Sequence, residues 1–224
     1  MKIAFIGLVA FMAVVNAQTT ALTTRTITAV GNATVSAAPD KAMVDIGVTT
    51  QATTAQDASN QNAVQVSAVL AAMQTVLGVN ANIKTINYSL SPVYSSGNNP
   101  TIIGYSASNT VQATLTDLTL IGKVIDVSIA AGSNRVNGIS FGLQNPDPVQ
   151  AQALQAAATS AVAQAKAIAA GLGVTIGTIL HASQGVATVY TPSTLAPAAA
   201  APSTPVVPGL IQLQGTVTVE VAIQ

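Results

Sequence analysis

In this chain of 224 amino acids, one set of three residues has the types and the order in the chain that nucleophilic hydrolysis would need. Residues 138–142, GISFG, have the G-x-S-x-G form of a nucleophile elbow, and Asp147 and His181 follow Ser140 in the order of an α/β-hydrolase triad. An elbow needs a sharp turn from a strand into a helix, which exposes the serine hydroxyl. Residues 136–143 instead alternate as one strand, and Asp147 follows the serine too closely for that fold. We therefore expect Ser140 to be an ordinary strand residue, with an uncharacterised serine hydrolase as the third-ranked function.

The other ionisable residues do not have the spacing of a catalytic or metal site. His181 is the only histidine, there is no cysteine, and the carboxylates are scattered singly, whereas a metal site needs several converging ligands. Asp40 and Asp45 lie on opposite faces of one strand start, which disfavours a paired-carboxylate hydrolase. The glycine-rich residues 171–177 leave a helix and enter a strand, the reverse of a dinucleotide-binding fingerprint. We predict no catalytic, cofactor-binding or metal-binding residues, no cofactor and no enzymatic activity.

Three acidic residues are instead placed for structural work. Asp40 follows Pro39 at a turn, Asp117 precedes a predicted second helix, and Asp147 precedes a predicted third helix. A carboxylate at such a position accepts a hydrogen bond from a backbone N–H that the helix itself cannot satisfy. We therefore expect these residues to be turn or N-cap residues.

The first seventeen residues predict export. Lys2 is followed by an uncharged apolar run over 3–15 and by the small residue Ala17. The run is too short to cross a hydrocarbon core of about 30 Å, and it has the order of a secretory signal peptide. We predict cleavage between Ala17 and Gln18, a secreted or periplasmic location at the cell envelope, and no transmembrane span after cleavage.

The composition excludes two classes of protein. Hydrophobic residues make up 50% of the chain and charged residues 6%, with seven Lys and Arg against seven Asp and Glu. Without a basic field the chain is not expected to bind nucleic acid, and with this much apolar surface it is not expected to be disordered. The sparse charge predicts a surface of Thr, Ser, Asn, Gln and Ala, which permits close packing between copies or attachment to neutral polymers such as cell-wall glycans.

Hydrophobic periodicity predicts the elements that position these residues. Residues 25–37 and 41–53 alternate as strands, and residues 54–77 have helical spacing, with Thr54 at the start and Gly78 at the stop. Strands over 83–96 and 102–117 form a hairpin, a second helix covers 118–131, and a strand follows over 134–145. The order from 41 to 145 is β-α-β-β-α-β, the ferredoxin-like arrangement in which two helices cover one face of an antiparallel sheet.

The C-terminal third predicts a long Ala-rich helix and two more strands. The helix runs from about 148 to Gly171, a strand begins at Val174, and residues 191–208 contain five prolines. We expect 191–208 to be an extended, mobile insert, and the last strand to return to the sheet. The buried stripe of the helix is predicted to comprise Val149, Ala153, Leu154, Ala157, Ala161, Ala165, Ile168 and Leu172. The predicted organisation is a signal peptide (1–17), an N-terminal lead (18–24) and one α+β domain (25–224).

Six stretches in this order resemble the SIMPL-domain family. They are GNATVSAAPDKAMVDIGV (31–48), INYSLSPVY (86–94), GYSASNTV (104–111), NGISFGL (137–143), AKAIAAGLGV (165–174) and GTVTVEV (215–221). The family includes bacterial periplasmic or outer-membrane immunogenic proteins and a mammalian adaptor associated with a pelle-like kinase. The resemblance implies an α+β fold, no known enzymatic activity, an envelope or extracellular location, and oligomers in some members. Family helices usually carry many charges and the position of Ser106 is commonly basic, whereas the helices here are nearly uncharged.

The leading hypothesis is therefore an exported, non-enzymatic SIMPL-domain protein that acts by self-association or binding at the cell envelope or surface. Its long alternating strands have edges that could pair between subunits of a homo-oligomer. The alternative is a carrier or sensor of a small apolar ligand, bound between the sheet and the helices.

Overall fold

The computed structural model describes residues 25–185 and 204–224, and the backbone of 188–190. The predicted signal peptide with its cleavage site at Ala17 and Gln18, the lead at 18–24 and most of the insert at 191–208 lie outside the described residues. The described elements, in chain order, are β1 (Thr26–Ala37), β2 (Lys41–Ala52), α1 (Ala55–Leu77), β3 (Asn82–Tyr94), β4 (Ile102–Leu115), α2 (Ile121–Ala130), β5 (Arg135–Gly142), α3 (Asp147–Gly171), β6 (Ile176–Gln184), β7 (Thr188–Tyr190) and β8 (Ile211–Ile223). None of the described helices is both long and apolar enough to cross a membrane.

The strands form two antiparallel sheets, where the sequence predicted one. The central sheet has the order β3-β4-β2-β5, and the terminal sheet has the order β1-β8-β6, with the short β7 also paired to β8. The fold is α+β with additional N- and C-terminal strands, as predicted. The expectation that the last strand returns to the central sheet was wrong: β8 pairs with β1 along its length, from Thr26 opposite Ala222 to Ala37 opposite Ile211. Alternation shows that one face of a strand is buried, but it does not show which sheet the strand belongs to.

The central sheet contains the predicted β-α-β-β-α-β element order. β2 lies between β4 and β5, and helices α1 and α2 pack on one face of the sheet. Their core is aliphatic and fully buried at its centre, where Val44 and Ile46 of β2 meet Val69 and Met73 of α1 and Val124 of α2. Burial of such side chains stabilises the fold by about 1.5–3 kcal/mol each.

Helix α1 begins and ends where the sequence predicts. The Thr54 hydroxyl accepts a hydrogen bond from the backbone N–H of Asp57 at 3.1 Å. At the other end Gly78 has a φ of 85°, a left-handed conformation that favours glycine. The predicted second helix instead begins as a 3₁₀ turn over Leu118–Leu120, capped by Asp117, before α2 follows.

Helix α3 departs from prediction in its cap and in its buried stripe. Asp147 is not the N-cap: Pro146 holds that position without a side-chain hydrogen bond, and Asp147 donates its N–H to Asn145 Oδ1 at 3.1 Å. Ile168 and Leu172 were predicted to be buried but are 42% and 65% exposed. The buried residues are the alanines at every fourth position: Ala153, Ala157, Ala161, Ala165 and Ala169.

The reason for this all-alanine stripe is the closeness of α3 to the terminal sheet. A Cβ added at Gly31 of β1 would overlap the carbonyl oxygen of Ala157 and the nitrogen of Ala161. A Cβ added at Gly215 of β8 would lie 2.7 Å from the carbonyl group of Ala153. The helix backbone therefore touches the sheet backbone, and side chains larger than alanine do not fit between them.

The last residues of the proline-rich segment pack on the central sheet before the chain enters β8. The Thr204 hydroxyl donates to Asp126 Oδ1 of α2 at 2.8 Å. Val206 packs against the core beneath α1 and α2. The segment thus contacts the helices of the central sheet and continues into the middle strand of the terminal sheet.

Gly31→Ala should destabilise the protein strongly, because its methyl group would overlap helix backbone that cannot move aside. We expect a loss of about 1–3 kcal/mol or more in the free energy of unfolding, measured by urea denaturation. Gly138→Ala is the matched control, since a Cβ there meets no atom within 4 Å, and should change stability by no more than about 0.5 kcal/mol. Equal losses in the two variants would contradict the close approach of α3.

Candidate association surface

The three residues of the hydrolase pattern lie in separate elements. Ser140 is opposite Met43 within the central sheet, and β5 continues past it to Gly142 without an elbow turn. Asp147 is the first residue of α3, and His181 lies opposite Glu220 in the terminal sheet. The structure therefore does not assemble these residues around the serine hydroxyl.

The carboxylates on the central sheet each have a local hydrogen-bond partner. Asp45 Oδ1 accepts from Gln112 Nε2 at 2.8 Å, and Asp40 Oδ1 accepts from the Gln144 N–H at 2.6 Å. Within the described residues, no group of three or more His, Asp or Glu side chains is placed to hold a metal ion. Asp45 therefore links β2 to β4, and Asp40 links the turn before β2 to the segment after β5.

Asp117 has an environment that stabilises its charged form. Its Oδ1 accepts from the Thr119 hydroxyl at 2.6 Å and from the Thr119 backbone N–H at 3.0 Å. These two hydrogen bonds, the hydroxyl first, lower the pKa of this carboxyl below its ordinary value. The role is that of the predicted cap, although it caps the 3₁₀ turn that leads into α2.

The most distinctive exposed feature is an apolar row on β3. Ile86, Tyr88, Leu90 and Tyr94, which we call the β3 stripe, are 44%, 50%, 41% and 55% exposed. Tyr88 and Leu90 are two positions apart in a regularly paired part of the strand and share one face, and Ile86 lies at the register shift just before them. The signal was present in the sequence as the alternation of INYSLSPVY, but alternation alone predicts a covered face.

The stripe is exposed because β3 lies at the edge of the central sheet, beyond the cover of α1. Tyr88 is opposite Asn109 and Leu90 is opposite Ala107 on β4. Ala107 is buried under α1, whereas its β3 neighbour is not. The Tyr88 hydroxyl lies 3.0 Å from Ser59 Oγ of α1, a hydrogen bond that fixes the ring at the border between helix and strand.

The backbone of β3 is also open on one side. The strand has 13 residues and pairs with β4 alone among the described strands. An open edge of this length is a template for pairing with another strand, which proteins usually block with charges, prolines or bulges. Here β3 contains one charge, Lys84, and one proline, Pro92, with register shifts near residues 86 and 94.

Two buried amide oxygens lie next to the stripe. Asn62 of α1 is 1% exposed and donates through Nδ2 to the carbonyls of Val48 and Ala107, at 3.0 and 3.2 Å. Its Oδ1 has no hydrogen-bond partner, and neither has Oδ1 of Asn109, which lies opposite both Val48 and Tyr88. Both amides therefore lie in the layer between α1 and the sheet, and they offer acceptors without donors.

Comparison with known proteins places these features in a family context. Residues 27–221 match the family model SIMPL, described as a protein of unknown function (DUF541). The 26 kDa periplasmic immunogenic protein of Brucella melitensis is 31% identical over 164 residues, which is 70% of this chain and 66% of that protein. The uncharacterized protein YggE of Escherichia coli K12 is 29% identical over 150 residues, which is 66% of this chain and 61% of YggE. The chain thus spans 66% and 61% of the lengths of these two curated relatives.

Asp117→Ala should lower the melting temperature at pH 7, because the cap of the turn before α2 is lost. Since the folded pKa is depressed, the stabilising contribution is present above the ordinary value of 3.8 and is lost as the pH falls below it. The difference in melting temperature between parent and variant should therefore shrink in acid. Thr119→Val, which removes the hydroxyl donor and keeps the backbone donor, should have a smaller effect of the same sign. A difference that stays constant down to pH 2 would contradict this assignment.

Proposed function

We propose, from the premise that the chain belongs to the SIMPL family (DUF541), that it is a periplasmic protein that acts without catalysis. In this proposal it associates with copies of itself at the cell envelope, and the β3 stripe is the contact surface. The exposed apolar row on an open sheet edge is the observation that carries the proposal.

Two independent observations support the location. The relatives from Brucella melitensis and Brucella abortus are both named as periplasmic proteins. The first seventeen residues of this chain have the order of a secretory signal peptide. Cleavage between Ala17 and Gln18 would release the folded chain into the same compartment.

The proposal of a non-catalytic role is supported by the positions of the ionisable groups. Ser140 and His181 belong to different sheets, and the acids described above have structural hydrogen bonds. A fluorophosphonate that labelled Ser140 stoichiometrically would contradict this part of the proposal.

Self-association through β3 is supported by the chemistry of the strand. Full burial of an Ile, Leu or aromatic side chain contributes about 1.5–3 kcal/mol, so the half-exposed stripe residues would each contribute about 1 kcal/mol on being covered. Antiparallel pairing of β3 with β3 of a second copy would join the two stripes and satisfy open backbone groups across a two-fold axis. If the two-fold axis passes near Ser89, Lys84 of one copy lies opposite the C-terminal end of β3 in the other copy. The two lysines would therefore not oppose each other.

The double variant Ile86→Thr/Leu90→Thr should therefore convert the assembly into smaller species. Light scattering coupled to size exclusion, on the exported chain at several concentrations, measures the change. The matched control is Ile179→Thr/Leu180→Thr, which removes the same side-chain types from the edge strand β6, where they are 56% and 50% exposed. The control should keep the parent's molecular mass.

Two results would contradict the proposal. One is a parent chain that stays monomeric at high concentration. The other is dissociation caused by the β6 double variant while the β3 double variant remains assembled, which would move the contact to the terminal sheet. Circular dichroism distinguishes either result from loss of folding.

A second candidate function, a carrier or sensor of a small apolar ligand, is supported by the two unpartnered amide oxygens. Buried polar groups are nearly always hydrogen-bonded, and an unsatisfied one costs about 1–3 kcal/mol. A small, largely apolar molecule with two hydrogen-bond donors that entered beside Tyr88 would satisfy the free oxygens of Asn109 and Asn62.

Native mass spectrometry of the protein purified from its host compartment tests this candidate. A bound small molecule should be present in the parent, and Asn62→Leu, which keeps the branched shape of the side chain but removes the acceptor together with the Nδ2 donors, should release it while circular dichroism shows an unchanged fold. Asn60→Leu, on the exposed side of α1, is the control and should retain it. A parent mass without any addition would exclude the carrier function.

A further inference from the structure

The few cations of this protein are concentrated on one surface. Residues 25–224 contain six Lys and Arg residues, and three of them, Lys41, Lys84 and Arg135, belong to the face of the central sheet opposite α1 and α2. Lys41 and Asp45 lie on that face of β2. Lys84 of β3 lies opposite Gln112 of β4, which in turn lies opposite Asp45, so Lys84 is on the same face. The Cβ of Arg135 lies 3.0 Å from where a Cβ of Gly47 would be, so Arg135 is on this face too.

One acid lies on the same face as these three cations, and a second, the exposed Asp40, directly precedes Lys41 at the turn before β2. The acid on the face is Asp45, which is half-buried and accepts a hydrogen bond from Gln112. The chain from residue 18 onward carries seven acids against six cations, so the molecule as a whole attracts no anion. This surface, which we call the cationic face, is therefore the local exception in a nearly neutral protein.

The cations are too far apart to bind one small anion together. Strands lie about 4.8 Å apart and residues rise about 3.3 Å along a strand. By the register, Lys84, Lys41 and Arg135 are therefore about 15–20 Å from one another at their backbones. Such spacing fits a partner whose negative charges repeat along its length.

The area between the cations is made of hydroxyl and amide groups. Cross-strand rows run from Ser91 through Ser106 to Gln51, and from Ser89 through Ser108 to Thr49. Several of these groups are held in place by one another: Thr49 Oγ1 donates to Ser108 Oγ at 3.2 Å, and Asn137 Nδ2 donates to Thr110 Oγ1 at 3.0 Å. They form a fixed polar surface with donors and acceptors suited to sugar hydroxyls.

We propose that the cationic face binds an anionic polysaccharide. Repeating charges would pair with the three separated cations, and sugar hydroxyls would bond to the Ser, Thr, Asn and Gln rows between them. An anionic bilayer fits less well, because membrane attachment also needs apolar side chains to insert, and this face has no such row. A nucleic acid fits less well because the face lacks exposed aromatic side chains on which bases could stack. The site goes beyond the proposed function: it lies on the face opposite the β3 stripe and does not depend on self-association.

Dextran sulfate is the probe, uncharged dextran is its control, and isothermal titration calorimetry of the exported chain measures the affinity. The triple variant Lys41→Gln/Lys84→Gln/Arg135→Gln should bind dextran sulfate about tenfold more weakly, the size expected from three exposed ion contacts. The matched control Arg25→Gln/Lys123→Gln/Lys166→Gln removes the same residue types and the same net charge from other surfaces, and should change affinity by less than about twofold. Binding by the parent should weaken as salt rises.

A further variant tests the sugar contacts separately from charge. Ser89→Ala/Ser91→Ala/Ser106→Ala keeps every cation and should weaken dextran sulfate binding about threefold, as expected for a few exposed hydrogen bonds. Circular dichroism checks that each variant is folded, and light scattering checks that its assembly state matches the parent's. Failure of binding here is thus distinct from failure of self-association.

Several results would overturn the proposal. Equal losses in the two triple charge variants would mean that binding follows net charge and not this face. An unchanged affinity in the serine variant would leave charge alone as the basis of binding. Equal or tighter binding of the parent to poly(U) RNA or to phosphatidylglycerol vesicles would assign the face to a nucleic acid or a membrane.

Discussion

The contact of α3 with β1 and β8 is the constraint on which the rest of the architecture depends. Because Gly31 and Gly215 bring strand backbone against helix backbone, the helix can present only alanine along its inner stripe. β1 and β8 are distant in the chain, and everything from Lys41 to Gly142 is inserted between β1 and α3. The packing of α3 must therefore offset the entropy of closing a very long loop. The contact of Thr204 and Val206 with the helices of the central sheet fixes the return of the chain into β8.

The division into two sheets leaves the central sheet with two different free surfaces. On the helical side, α1 covers β4 and β2 but reaches only the border of the edge strand, so the β3 stripe is about half exposed. On the opposite side, the sheet presents polar rows and three cations. Since neighbouring residues of a strand point to opposite faces, the same 13 residues of β3 contribute to both surfaces. Self-association through the stripe and recognition through the cationic face are thus sterically compatible.

Local features of this fold were predictable, and contacts between distant segments were not. Thr54 and Gly78 delimit α1 through hydrogen bonds and a backbone angle that depend on adjacent residues, so the sequence reveals them. The prediction for Asp147 was wrong because Asp is favourable both as the N-cap and within the first turn of a helix. Here Pro146 is the N-cap and Asn145 accepts the Asp147 N–H, so Asp147 lies inside the first turn. Ile168 and Leu172 were misassigned because hydrophobicity usually decides which face is buried, whereas here the available space decides. No periodicity within α3 could show that glycines 31 and 215 would meet it.

The same reasoning applies to the functional surfaces. The alternation in INYSLSPVY was visible in the sequence. Whether its apolar residues are exposed depends on how far α1 extends across the sheet, which is a property of the tertiary structure. The cationic face joins residues 41, 84 and 135, which no local pattern connects. Scarcity of charge gives this cluster its effect: on an ordinary surface, with about 25% charged residues, acids within the Debye length of about 8 Å would cancel much of the field of three cations. Here the nearby acids are Asp45 on the same face and Asp40 directly before Lys41, and the other neighbours are mostly Ser, Thr, Asn and Gln, so the three cations still give the face a net positive charge. The two proposed roles therefore place different demands on one nearly neutral surface: self-association needs little charge at the β3 stripe, and recognition of an anionic polymer needs the separated cations of the opposite face.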